Sequence, residues 1–243
     1  AIRRQRQMCI RDRITKDLSC EIITCGLEHT ADYMAKNITF DEFAHASFDC
    51  VKGDEVLGRF SLSVPGVHNA ANALSAIALG EKLGLSMEDI QKGLLHFGGT
   101  DRRFQYKGKV GGVTIIDDYA HHPTEIAATL RTAKNYPHRT TWCVFQPHTY
   151  TRTKALMHEF AEALTLADKV VLADIYAARE TNNLGISSQN LRDLVASLGT
   201  DAYYFSTFDE IEEFLLKNCI HDDLLITMGA GDVYKIGENL LGM

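Results

Sequence analysis

The chain of 243 residues is 45% hydrophobic and 23% charged, the profile of a soluble globular protein with one large domain or two ordinary ones. A formal charge of −7 argues against a broad nucleic-acid surface. Apolar runs are strand-sized, short of the ~20 residues a membrane helix needs, and none follows the basic first residues as a secretory signal would. Six scattered cysteines without a C-x-x-C pair fit reduced, cytoplasmic thiols better than a disulfide framework or a zinc site.

Residues 1–13 hold five Arg against one Asp, with no amphipathic period and no cap, and are expected to be non-native or disordered. From Ser19 to Val64 the periods are short, and Cys20–Cys25, Met34–Thr39, Ala44–Val51 and Val56–Val64 read as strands. Two helices follow, Ala70–Lys82 and Met87–His96, the second opened by a capping box of Ser86 and Asp89. Gly98-Gly99-Thr100 is the linker candidate. Beyond it, strand-like runs at Val113–Asp117, Thr141–Phe145, Lys169–Asp174, Ala202–Phe205 and Leu224–Met228 alternate with helical stripes. That alternation predicts an α/β domain with a doubly wound, mostly parallel sheet.

Ligands of such sheets bind beyond the carboxyl ends of the strands, so the residues after each strand carry the functional signal. Asp117-Asp118-Tyr119-Ala120-His121-His122-Pro123 follows the first strand of this half, and Gln146-Pro147-His148-Thr149-Tyr150-Thr151-Arg152 the second. Gly229-Ala230-Gly231-Asp232 follows the last. His121 or His122 could simply cap the helix that Pro123 begins, and the paired Asp could be turn residues. Arg152 at a helix start is poorly placed to complement the dipole and well suited to bind a carboxylate or phosphate. No H-x-x-x-H or H-E-x-x-H spacing supports a metal site, and the late glycines lack the context of a nicotinamide fold. Ahead of the linker, Asn69 and Asn72 lie three apart on one helix face, and each amide offers the donor and acceptor that an adenine edge requires. Arg102-Arg103-Phe104 could bring a guanidinium to the same nucleotide.

With G-V-H-N-A-A-N-A, T-D-R-R-F, D-D-Y-A-H-H-P-T-E and F-Q-P-H-T-Y-T-R-T in order, the sequence resembles the Mur ligases, ATP-dependent amide-forming enzymes of peptidoglycan precursor synthesis. The likeness covers about residues 19–243 and is nearest to the branch that joins L-alanine to UDP-N-acetylmuramate; a murein tripeptide-recycling branch shares part of the pattern. The resemblance implies that residues 14–98 are the β-rich and helical end of the central ATPase domain and 99–243 the Rossmann-like C-terminal domain. It implies ATP and Mg2+, a carboxylate activated as an acyl phosphate, and closure of the C-terminal domain over the site. By carry-over, His68, Asn69 and Asn72 border the adenine, and Arg103 or Arg102 approaches the nucleotide. Asp117 and Tyr119 contribute to the ATP pocket, while His121 and Arg152 hold L-alanine. Some relatives carry a second Arg where this chain has Thr149. No G-x-x-x-x-G-K-[ST] occurs in the chain, so the magnesium ligands and phosphate cradle are expected elsewhere, and the chain alone is expected to be inactive, as a non-catalytic nucleotide-binding module would be.

Overall fold

A computed structural model describes residues 18–182 and 184–243. The basic segment 1–13 lies outside them. The first unit is a four-stranded sheet in the order β1 (Cys25–Gly26), β2 (Tyr33–Phe40), β3 (His45–Lys52), β4 (Glu55–Pro65), backed by α1 (Val67–Lys82) and α2 (Met87–His96). The strand expected over Cys20–Cys25 shrinks to Cys25–Gly26, which pairs parallel to β2. An apolar run alone does not make a strand where few of its residues find a neighbour to bond. In β4 the alternation holds: Phe60, Leu62 and Val64 are buried, while Arg59 and Ser61 face solvent. Gly53, at φ +59°, turns β3 into β4 through a two-residue hairpin.

The buried stripe of α1, Ala70, Ala73, Leu74 and Ile77, closes this core against Phe48 and Phe60. Ser86 caps α2 through the Asp89 N–H at 3.1 Å. The N-cap of α1 is Gly66, not an asparagine. Gly66 has φ +97°, and a Cβ there would come within 2.5 Å of Thr132 Oγ1 in the second unit.

The second unit begins with β5 (Gln105–Val110) and β6 (Val113–Asp118), an antiparallel hairpin. The sequence reading did not include β5, because its edge position leaves it polar and half exposed; the signal was Gly111-Gly112, both at positive φ, between Val110 and Val113. Then follow α3 (Pro123–Ala133), β7 (Thr141–Phe145), α4 (Tyr150–Ala155), α5 (Met157–Leu164), β8 (Lys169–Leu172), α6 (Ser188–Ser197), β9 (Asp201–Tyr204), α7 (Phe208–Asn218), β10 (Leu224–Met228) and α8 (Tyr234–Leu241). The sheet order is β5-β6-β10-β7-β8-β9, parallel from β6 onward.

Side-chain alternation distributes each strand between two cores. Ile116, Phe145, Leu172 and Ile226 pack under α3, α5 and α6, whereas Ile115, Val144, Val171 and Leu225 pack under α7 and α8. The expected doubly wound architecture is therefore present. Because β10 inserts between β6 and β7, the loops after these three strands converge at one end of the sheet.

The opposite end is tied by Asp223, which is 1% exposed. Its carboxylate accepts from Trp142 Nε1 at 3.0 Å, the Ile220 N–H at 3.0 Å and Arg139 Nη2 at 3.0 Å. Burial works against this charge, but the Ile220 and Trp142 donors and Arg139 outweigh it and hold the carboxyl below its usual range. A depressed folded pKa contributes stability above the unfolded value, near 3.9, and loses it as pH falls through the folded one. Asp223→Ala is expected to cost ~2–3 kcal/mol in urea unfolding at pH 7, with Arg139 half exposed and Trp142 left without an acceptor. The gap from wild type should narrow below pH 4; a pH-independent gap would contradict the assignment.

Candidate functional site

Two regions meet at the converging loops. The first lies between the start of α1 and α3, an open cleft of about 700 Å³ lined by His68, Asn69, Asn72, Arg103, Asp118 and Glu125 among others. Asn69 Nδ2 donates to the Pro65 carbonyl at 2.8 Å and its Oδ1 accepts from Asn72 Nδ2 at 3.1 Å. That chain of bonds fixes the Asn69 amide and leaves the Asn72 carbonyl oxygen and one N–H free. Beside the pair, Val64, Ala73, Leu94 and Phe97 line an apolar recess of about 280 Å³. A polar amide edge next to flat apolar walls suits a planar base. Crowding around the His68 ring, then the Arg103 charge, lowers the proton affinity of His68.

The adjacent pairs Arg102/Arg103 and Asp117/Asp118 divide between two faces. Asp117 is 1% exposed and points away from the cleft. It accepts from Arg102 Nε at 2.8 Å and from Thr227 Oγ1 at 2.7 Å. Arg102 also donates to the carbonyls of Gly231 at 3.0 Å and Gly229 at 2.7 Å, so its guanidinium is committed. Asp118 lines the cleft instead, accepting from the N–H groups of Ala120 (2.8 Å) and Phe104 (3.0 Å) and from Thr129 Oγ1 (3.0 Å). Burial raises its proton affinity, with these donors and Arg103 pulling the other way. Arg103 is exposed at the cleft wall, its guanidinium 5.9 Å from the Tyr119 ring centroid. Tyr119 stands beside this pair, its ring centroid 5.0 Å from the Arg102 guanidinium.

His122 caps α3, its Nδ1 accepting from the Thr124 N–H at 3.3 Å, while Glu125 returns to the His122 N–H at 3.2 Å. His121 is free of that task. Its Nδ1 lies 3.0 Å from the Tyr119 carbonyl. A carbonyl only accepts, so Nδ1 donates, with Glu125 Oε2 3.5 Å from it, and in the neutral imidazole Nε2 is the open acceptor. The ring stands edge-on to Tyr119 at 5.4 Å and to His148 at 5.9 Å.

The second region follows β7. Thr149, a β-branched residue at φ +67°, turns the chain into the short helix α4 and is held there by its N–H to the Tyr176 carbonyl at 2.9 Å. Glu180 accepts from the Thr151 N–H at 2.9 Å and from the Thr151 hydroxyl, fixing α4 from the β8 side. Here Gln146 Oε1, His148 Nδ1 and Arg152 Nη1 are all buried without a hydrogen-bond partner. One acceptor, one imidazole nitrogen and one cationic donor stand unpaired within seven residues, where buried polar groups are ordinarily satisfied. Burial, then the charges of Arg152 and His121, keep His148 from protonating in the usual range. Tyr176 stacks on His148 at 5.5 Å and closes the side.

The structure thus brings His121, Tyr119 and the Gln146–Arg152 loop to one strand end, and His68, Asn69, Asn72 and Arg103 to the cleft beside it. Asp117 and Arg102 are turned to the interior. Asp118, Gln146, His148, Tyr176 and the Phe97 recess were not among the residues assigned roles from the sequence. His148 and Gln146 lay inside a motif already singled out; Tyr176 had no local signal. Among the described residues no group of three His, Cys, Asp or Glu side chains could hold a metal ion, and no helix is long and apolar enough to cross a membrane.

The family profile for the Mur ligase glutamate ligase domain matches residues 102–231, and that for the Mur ligase middle domain matches residues 6–80. A UDP-N-acetylmuramate–L-alanine ligase of Agathobacter rectalis is 57% identical over 95% of the chain. The crystal structure of the Thermotoga maritima UDP-N-acetylmuramate–alanine ligase superposes with TM-score 0.76 at 28% identity, over 90% of this chain and 47% of that one. A murein peptide ligase of Psychrobacter arcticus gives 0.66 at 25% identity, over 97% and 49%. The chain spans about half the length of the curated relatives it matches.

A buried cationic N–H without an acceptor, such as Nη1 of the half-buried Arg152, destabilises the fold that carries it. Arg152→Met, which keeps the stem and removes the charge, is expected to raise stability to urea by ~1 kcal/mol. A loss of that size would mean that Arg152 holds the structure instead of waiting for an anion.

Proposed function

The chain belongs to the Mur ligase family, and we propose that it forms the adenine and amino-acid sides of an ATP-dependent ligase joining L-alanine to UDP-N-acetylmuramate. The observation that carries the reading is the trio of unpartnered buried groups at Gln146, His148 and Arg152. An α-amino acid supplies what they lack: a carboxylate for the Arg152 guanidinium and an ammonium for the open acceptors. The relatives at 46–57% identity are UDP-N-acetylmuramate–L-alanine ligases, which supports the alanine-adding branch over the tripeptide-recycling one.

In this mechanism Asn72, steadied by Asn69, reads the adenine edge over the apolar recess, and Arg103 faces the nucleotide phosphates. ATP converts the muramyl carboxylate to an acyl phosphate. The alanine nitrogen attacks the acyl carbon, the C–N bond forms and phosphate leaves. His121, through its open Nε2, takes one proton from the ammonium to free the attacking lone pair, and the second proton, released as the amide forms, leaves with the phosphate. Arg152 sets the direction of attack by holding the alanine carboxylate. Thr149 adds no charge, so a single guanidinium carries that anion. Mg2+ and the phosphate cradle come from residues beyond those present here, and the reaction belongs to the cytoplasm.

In a full-length ligase whose second half is this sequence, Arg152→Ala is expected to raise the apparent KM for L-alanine about a hundredfold, and that for ATP less than twofold. Equal effects on both substrates would reject the carboxylate role. The 243-residue chain alone should release no ADP in the presence of all substrates.

A further inference from the structure

Arg102 and Asp117 are the most heavily bonded ion pair at the strand ends, yet the mechanism gives neither a task. Besides its three hydrogen bonds, the Arg102 guanidinium lies 5.0 Å from the Tyr119 ring centroid and 4.6 Å from that of Tyr234. The residue has φ +59°, a backbone conformation uncommon outside glycine. Its main chain is bonded as well: its carbonyl accepts the Tyr119 N–H at 2.6 Å and its N–H donates to Gln105 Oε1 at 2.9 Å. Two residues on, the Phe104 N–H reaches Asp118.

These bonds join three segments that are distant in sequence: the exit of the linker, the end of β6 and the Gly229–Gly231 loop. Consecutive residues point to opposite sides at both contacts. In β6 the pleat turns Asp118 toward the cleft once Asp117 is held inward, and Arg103, next to Arg102 in the turn, stands on the cleft wall. The same pin fixes the Gly231 carbonyl, and Gly231 packs so closely on Gln146 Oε1 and the Tyr176 ring that no Cβ fits.

We infer that Arg102 and Asp117 are a positioning pair, which holds Arg103 and Asp118 aimed at the nucleotide cleft and registers that cleft against the loop that carries Gln146. The pair touches no substrate. Lysine cannot replace Arg102, because one ammonium cannot span a carboxylate and two carbonyls in the planar fork seen here. The inference rests on the nucleotide reading for its purpose but not for its geometry, and the two are tested separately.

Amide hydrogen exchange is read on the chain and on Arg102→Ala, Arg102→Lys and the isosteric Asp117→Asn, together with ADP affinity by calorimetry. Exchange at the Tyr119 and Phe104 N–H groups should accelerate at least tenfold in all three variants, while the Ile226 N–H in the central strand keeps its protection. The Kd for ADP should rise about tenfold, and Arg102→Ala combined with Asp117→Asn should add little to either single change. Unchanged exchange at both amides in Asp117→Asn, which preserves shape and fold, would overturn the positioning claim. Accelerated exchange with an unaltered Kd would overturn its link to the nucleotide. If the unmutated chain binds no ADP while exchange still accelerates, the pair positions these segments as described and the nucleotide reading is what fails.

Discussion

The site is organised by the ion pair between Arg102 and Asp117, buried where the linker meets the end of a parallel strand. An extended chain presents successive side chains to opposite sides. Once Asp117 is committed inward, Asp118, the next residue of β6, has the cleft to face, and Arg103 stands on the cleft wall beside the Arg102 turn. A buried carboxylate needs compensation from every direction, and Asp117 receives it from Thr227 as well as from Arg102. The guanidinium then extends the tie to the Gly229 and Gly231 carbonyls. The loops after β6 and β10 and the linker thus behave as one rigid seat, on which the rest of the site is assembled.

The second constraint is an absence of satisfaction. Asp223, at the far end of the sheet, shows how this fold treats a buried charge when nothing else is required of it: every approach is filled by a donor. At the end of β7 the treatment is opposite. Gln146, His148 and Arg152 keep buried polar atoms unpaired, and Thr149 holds a backbone conformation that its branched side chain disfavours. Both costs fall on the same seven-residue stretch. A site that waits for a zwitterion accounts for them together.

Much of this was legible in the sequence because the parallel strands are buried on both faces and stand out as apolar runs. Thr141–Phe145 and Leu224–Met228 have the ends that the pattern gave them, and the polar residues beyond them mark the loops. What escaped was decided by neighbours. β5 is an edge strand whose register comes from its partner β6, and the stretch from Cys20 is apolar enough for a strand yet pairs only at its end. α8, over Tyr234–Leu241, was not anticipated, since its stripe is short and follows a glycine-rich turn. The harder ambiguity lay in adjacent like residues. No local signal separates Asp117 from Asp118 or Arg102 from Arg103; the choice rests on Thr227, 110 positions along the chain. His121 and His122 divide by the same logic, one on the Tyr119 carbonyl and the other as a cap, with Pro123 and Glu125 supplying the cap geometry that settles it.

The account stands or falls on adenine occupying the recess beside Asn69 and Asn72. Photolabelling the chain with 8-azido-ADP, followed by peptide mapping, tests this directly. Labelled peptides should contain residues 64–73 or 94–104, with labelling suppressed by excess ADP. Competed labelling confined to the loops after β8 or β10 would place the base elsewhere and contradict the account.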